Sequence, residues 1–167
     1  MSRRTLTDLP AAAIDGQRAL VREDFNVPLK DGVVTDDSRL RAALPTISYL
    51  REKGARVIIL SHLGRPKGGP EPKYSLRQIV RPLETLLGSP VEFIPDPATG
   101  VPATRRLPRG GVALVENTRF WPGEEKNDLD FAKTLAALGD FYVNDAFGSA
   151  HRAHASTEAL EIGRAHV

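Results

Sequence analysis

The 167-residue chain contains no cysteine. That excludes a disulfide framework and any thiolate metal site, and it fits a reducing compartment. No apolar run approaches the roughly 20 residues needed to cross a bilayer. The opening stretch MSRRTLTDLPAAAIDG is interrupted by Asp8 and Asp15, and no apolar segment of signal-peptide length follows it. An excess of one charge is missing too: 23 basic residues stand against 21 acidic, a net charge of +2. That balance argues against a nucleic-acid or acidic-membrane partner. A cytoplasmic protein is expected. No GxGxxG follows an apolar run, so a dinucleotide site of the dehydrogenase type has no support. The stretch from Gly64 to Gly69 holds Lys67 but lacks the GxxxxGK[ST] spacing of a P-loop. No Ser-His-Asp arrangement or nucleophile elbow is visible. His151 and His154 lie three apart, but with no cysteine and no clear third ligand a metal is not expected.

The residues that are present alternate between short apolar runs and amphipathic segments. Apolar residues make up 41% and charged residues 26%, a globular balance. Ala19-Leu20-Val21 ends a first strand, and Arg56 to Leu60, Val91 to Ile94, Val112 to Val115 and Phe141 to Asn144 read as four more. Ser38 to Lys53 reads as a helix with Ser38 as N-cap and Gly54 as C-cap, its Leu40, Leu44, Ile47 and Leu50 on one face. Ser75 to Leu87 reads as a second helix closed by Gly88, and Asp128 to Leu138 as a third closed by Gly139. Pro45 and Pro82 fall inside two of these helices and imply a kink. Residues 95–111 read as a connection with about one helical turn, and residues 64–72 as a loop. Strands alternating with helices predict an α/β fold with a parallel sheet and right-handed crossovers.

Ligands of open parallel sheets bind outside the carboxyl ends of the strands. After the first strand come Asp24, Phe25 and Asn26; after the second, Ser61, His62, Leu63, Gly64 and Arg65; after the fourth, Glu116, Asn117, Thr118 and Arg119. After the fifth come Asn144, Asp145, Ala146 and Phe147, then His151, Arg152 and His154. Arg39 opens the first helix and can swing towards the same rim. Any one of these residues is ordinarily a solvated charge, a turn residue or a satisfied imidazole. Their recurrence after strand ends points instead to a site. Arginine forks match carboxylate and phosphate oxygens, and several around one crevice imply more than one anionic group. Asp24 and Asn26 add acceptors that suit a ligand hydroxyl or orient an arginine. The residues alone thus predict a small hydroxylated, phosphorylated carboxylic acid or something close to it.

At these residues the chain resembles the phosphoglycerate kinases. The stretches that carry the resemblance are REDFNVPLKDG from Arg22, DSRLRAAL from Asp37, LSHLGRPK from Leu60, LVENTRF from Leu114 and YVNDAFGSAHRAHAST from Tyr142. The resemblance implies a three-layer αβα Rossmann-like open parallel sheet, the incomplete N-terminal lobe of a two-lobe kinase. It implies reversible phosphoryl transfer between 1,3-bisphosphoglycerate and ADP, giving 3-phosphoglycerate and ATP, by a monomer in glycolysis or carbon fixation. Magnesium-bound ATP or ADP would sit on the C-terminal lobe, with no cofactor on this segment. Carried over by position, Asp24 and Asn26 meet the glycerate end of the substrate, and Phe25, Leu63 and Gly64 count among the substrate-binding residues. His62, Arg65, Arg119 and Arg152 contact its phosphate. Arg39 lies beside the transferring group and is the expected catalytic residue. Glu23 stands where valine is common in the family and is expected to point away from the ligand, with no functional consequence.

By this resemblance residues 1–160 are an incomplete substrate-binding domain, and the nucleotide-binding domain is expected to be absent. The closing residues EIGRAHV, 161–167, align to nothing in the family, and they can be encoded by DNA that resembles a common short-read sequencing adapter. A translated adapter is the expectation there, and a segment without catalysis of its own. The alternative of a different class is a stand-alone module that binds a phosphorylated anion without catalysis.

Overall fold

The computed structural model describes residues 5–122 and 128–146. A 3-10 turn at Leu6–Asp8 and helix α1 (Ala11–Ile14) lead into strand β1 (Arg18–Arg22). A small hairpin follows, β2 (Leu29–Lys30) and β3 (Val33–Val34), then helix α2 (Ser38–Glu52) and strand β4 (Arg56–Leu60). A 3-10 turn at Pro72–Tyr74 precedes α3 (Arg77–Leu87) and β5 (Val91–Ile94). Another at Pro97–Thr99 precedes α4 (Val101–Arg106) and β6 (Val112–Val115). A last one at Thr118–Phe120 is followed by α5 (Leu129–Ala136) and β7 (Phe141–Asn144).

Five strands form one sheet in the order β5-β6-β4-β1-β7, and every pairing in it is parallel. Buried on both faces, the strands read as continuous apolar runs. The period of two sorts their side chains into two cores. Ala19, Val21, Val57, Ile59, Val112, Leu114, Phe141 and Val143 face one, together with Leu40, Ile47 and Leu50 of α2 and Ile79 and Leu83 of α3. Leu20, Ile58, Leu60, Ala113, Val115 and Tyr142 face the other, with Ala132, Leu135 and Ala136 of α5, while Val101 and Ala103 of α4 pack against it. The result is the expected three-layer αβα architecture. Each fully buried Leu or Ile contributes about 1.5–3 kcal/mol of transfer free energy.

Several local expectations are corrected. The cap of α2 is Asp37, not Ser38; Ser38 instead donates its main-chain N–H to Asp36 Oδ1 at 2.9 Å. At the other end Lys53 is the cap, and Gly54 follows it at φ 86°. Pro45 and Pro82 sit inside α2 and α3 without ending them, because the packed apolar faces hold both helices through the missing donor. The second helix begins at Arg77, although Ser75 Oγ does accept from the Arg77 amide at 3.1 Å. The 95–111 connection holds both a 3-10 turn and α4, more helix than one turn. Gly139 does not cap α5; Ala137 does. What position 139 requires is space: a Cβ there would stand 2.7 Å from the Cβ of Leu20. The N-terminal turn, α1 and the β2–β3 hairpin were not anticipated.

Candidate functional site

The carboxyl ends of β1, β4 and β6 are neighbours in the sheet, and the residues that follow them form one crevice. After β1 the chain makes a tight turn in which Asn26 N–H donates to Asp24 Oδ1 at 3.3 Å. Arg39, in the first turn of α2, reaches across to this turn. Its Nη1 donates to Asp24 Oδ1 at 3.2 Å and to the Asn26 carbonyl at 2.5 Å. Both side chains stay half in solvent, 49% for Arg39 and 40% for Asp24. Of the two roles open to Asp24, orienting an arginine is therefore one it performs.

Asn26 also ties the first loop to the second. Its Oδ1 accepts the Gly64 N–H at 2.9 Å, and the Gly64 carbonyl accepts from Arg119 Nη1 at 3.2 Å. Gly64 has φ 61°, and a Cβ there would collide with the Tyr74 ring. Only glycine serves at that position, for both reasons. A chain of hydrogen bonds thus runs from Arg39 through Asn26 and Gly64 to Arg119.

Beneath this surface a buried layer fixes the loops. Ser61 Oγ accepts the Phe25 N–H at 2.9 Å and donates to the Glu23 carbonyl at 2.8 Å. Asn117, fully buried, donates through Nδ2 to the carbonyls of Leu63 (2.7 Å) and Tyr74 (2.9 Å) and accepts the Arg119 N–H at 3.0 Å. Thr118 Oγ1 donates to the Ser61 carbonyl at 3.2 Å. Glu116 receives Ser75 Oγ at 2.7 Å and the amides of Leu76 and Asn117 at 2.8 Å each, which anchors the start of α3. These positioning residues were in view as strand-end residues but not as members of the site. Their partners lie 36–57 positions away in most of these bonds, so spacing along the chain could not reveal them.

The structure brings together Asp24, Asn26, Arg39, His62, Gly64 and Arg119 of the expected set. Arg65 is exposed on the same loop. Phe25 and Leu63 are buried core residues, so only their main chain can face a ligand. Arg152, with His151 and His154, lies outside the described residues. His62 is half-buried, and its imidazole is held below the ordinary range. Burial is the main cause, followed by the charges of Arg119 and Arg22, while Asp24 pulls weakly the other way and Arg39 adds to the depression. Positive charge therefore prevails at the floor of the crevice, which suits an anion. Asp24, the carboxylate of the crevice, is committed to Arg39. Among the described residues no three His, Asp or Glu side chains cluster as metal ligands, and the donor set does not fit a magnesium ion.

Comparison with known proteins adds four findings. The family model described as phosphoglycerate kinase matches residues 8–164. That match includes the first four residues of the EIGRAHV segment, which lie outside the described residues. The phosphoglycerate kinase of Caulobacter vibrioides is 57% identical over 159 residues, covering 93% of this chain and 40% of the relative. That of Fervidobacterium nodosum is 54% identical over 162 residues, covering 96% and 40%. The solved phosphoglycerate kinase of Coxiella burnetii superposes with a TM-score of 0.83 at 41% identity, covering 98% of this chain and 40% of that one. The chain spans about 40% of the length of the curated relatives it matches. Among the described residues no helix is long and apolar enough to cross a membrane.

Proposed function

The chain belongs to the phosphoglycerate kinase family, and on that premise we propose that its crevice binds 3-phosphoglycerate and 1,3-bisphosphoglycerate. The observation that carries this reading is the convergence of Arg39, His62 and Arg119 with Asp24 and Asn26 after three adjacent strands, where positive charge prevails at His62. Asp24 and Asn26 take the glycerate end. His62, Gly64, Arg65, Arg119 and Arg152 surround the phosphate. Arg39, already aimed by Asp24 and the Asn26 carbonyl, stands beside the transferring group.

The reaction is the reversible transfer of a phosphoryl group between 1,3-bisphosphoglycerate and ADP, giving 3-phosphoglycerate and ATP. Such transfer spreads charge over the phosphoryl oxygens and needs positioning and neutralisation more than a covalent nucleophile. Arg39 supplies neutralisation from a fixed guanidinium, and the hydrogen-bonded chain from Asn26 to Arg119 supplies positioning. The magnesium-bound nucleotide belongs to the portion of the relatives' length that this chain does not span. Residues 1–160, as a cytoplasmic monomer, bind substrate without turning it over.

A thermal-shift titration tests the reading. 3-Phosphoglycerate is expected to raise the melting temperature in a saturable way, and ATP to leave it unchanged. A shift with ATP, or none with 3-phosphoglycerate, removes the assignment. Inorganic sulfate matching the effect of 3-phosphoglycerate would favour a general anion module.

A further inference from the structure

Directly under the crevice lies a carboxyl pair that the substrate reading leaves without a role. Glu23, the residue after β1, is 2% exposed, and Asp145, the residue after β7, is 3% exposed. The strand ends that carry them are joined by the Asp145 N–H, which donates to the Arg22 carbonyl at 2.9 Å. Glu23 and Asp145 thus follow paired positions of adjacent parallel strands, Arg22 and Asn144, and the two carboxyls act on each other electrostatically. Asp145 Oδ1 also accepts from Thr46 Oγ1 of α2 at 2.8 Å, and Thr46 is fully buried. Among the described residues Glu23 Oε2 and Asp145 Oδ2 find no donor when both groups are carboxylates. Two buried carboxylates in contact, with no donor for those oxygens, are not a stable arrangement. One proton between them supplies the missing donor and removes one charge.

We propose that Glu23, sharing a proton with Asp145, is a positioning residue for the crevice: through Thr46 it fixes the helix that carries Arg39 against the strand end that carries Asp24 and Asn26. The proposal rests on the substrate reading for its functional meaning, but not for its geometry. Glu23 keeps the proton. Burial raises its carboxyl well above the ordinary value, and Asp145 and then Asp24 add to the rise. Asp145 is raised less, because Glu23 and Thr46 both hydrogen-bond to it. The charged groups that act on Glu23 among the described residues are thus both acidic, Asp145 from β7 and Asp24 from its own turn. From α2 the facing group is the neutral hydroxyl of Thr46, and after β4 it is Ser61, which bonds the Glu23 carbonyl. A raised carboxyl contributes its full stability below the ordinary glutamate range, and that contribution is lost as pH rises through the folded value. Loss of the proton leaves like charges in contact and frees α2 from the strand ends.

A pH titration of the 167-residue chain by NMR, following the side-chain carboxyls, the amides of residues 24–26 and the Arg39 Nε–H, decides the matter. Glu23 and Asp145 are expected to titrate as one coupled pair, with the crevice signals moving at the same midpoint. In Glu23→Gln, which keeps a donor towards Asp145 but has no proton to lose, that movement is expected to vanish. Thr46→Val is expected to release Arg39 from the transition while residues 24–26 still follow it, which keeps the test decisive if the Gln variant does not fold. Crevice signals that ignore the Glu23 midpoint, or a Glu23 that titrates in the ordinary carboxylate range, overturn the proposal. Calorimetry with 3-phosphoglycerate then reads the functional consequence. Affinity is expected to weaken by about tenfold per pH unit above that midpoint. That weakening is expected to be missing from Glu23→Gln; His62 is unchanged there, so its contribution cancels in the difference between the two profiles. Absence of binding at every pH would remove the substrate reading and leave the clamp to stand or fall on the NMR alone.

Discussion

Arginines line both ends of the sheet, and the two ends use them differently. At the amino end they staple the fold. Arg18, 6% exposed, donates to both oxygens of Asp140, to Thr104 Oγ1 and to the Ala137 carbonyl. Arg51 bonds the Gly110 and Leu87 carbonyls, Arg56 bonds those of Gly16 and Arg105, and Arg109 pairs with Asp15. These guanidiniums end on main-chain oxygens, carboxylates and the Thr104 hydroxyl, where they close turns and strand connections. At the carboxyl end Arg39 and Arg119 also hold loops, but they share their space with a half-buried imidazole that their charge helps to keep neutral. The lesson is that the number of arginines says little. What distinguishes the carboxyl end is that its arginines stand close enough to a half-buried imidazole to help hold it neutral.

The largest test of this contrast is at the amino end. Asp140→Ala leaves the buried Arg18 without its carboxylate, and a loss of about 3 kcal/mol in urea denaturation is expected. Where the protein remains folded, the affinity for 3-phosphoglycerate is expected to be unchanged. A loss well under about 1 kcal/mol would mean that the amino-end arginines are ordinary surface charges. The opposite pattern is expected for Arg119→Ala: a tenfold to hundredfold loss of affinity, about 1.5–3 kcal/mol for hydrogen bonds to a charged group. Its cost in stability, which includes the hydrogen bond to the Gly64 carbonyl, is expected to be smaller than that of Asp140→Ala. Equal effects on binding and folding would erase the distinction between the two ends.

The smallest effect is the titration of His62, readable by NMR. Without ligand its midpoint is expected below the ordinary imidazole range. The sign for folding follows: the unfolded chain binds the proton more readily, so stability falls as pH drops through that range. A phosphorylated anion offsets the Arg119 and Arg22 charges, so saturation with 3-phosphoglycerate is expected to move the midpoint upward. A downward or absent shift would place the anion elsewhere.

Much of this was legible in the sequence. Four of the five sheet strands, Arg56–Leu60, Val91–Ile94, Val112–Val115 and Phe141–Asn144, have the expected bounds, because a strand buried on both faces is an unbroken apolar run between polar loops. That Asp24, Asn26, His62 and Arg119 share one rim follows from a parallel sheet sending its strand ends to one side, and Arg39 reaches them from the first turn of α2. The β2–β3 hairpin was not, since two-residue strands have no periodicity to read. Gly139 was misread as a helix cap because closeness to Leu20 is a tertiary fact. Glu23, expected only to point away from the ligand, and Asn117, seen only as a strand-end residue, escape for the same reason. Their neighbours are Asp145, Leu63 and Tyr74, and no local pattern encodes those contacts.

The alternation of side chains along the strands has a further consequence for how the molecule tolerates change. Leu20 and Val21 are consecutive, yet they belong to separate compartments. The sheet acts as a bulkhead. Helix α2, which carries both Arg39 and Thr46, belongs to one compartment, whereas α4 and α5 seal the other. Substitutions that reshape the α5 side meet the crevice only through the backbone of the strands between. That side of the lobe can drift in sequence while the aim of Arg39 stays constant, and the α2 side cannot.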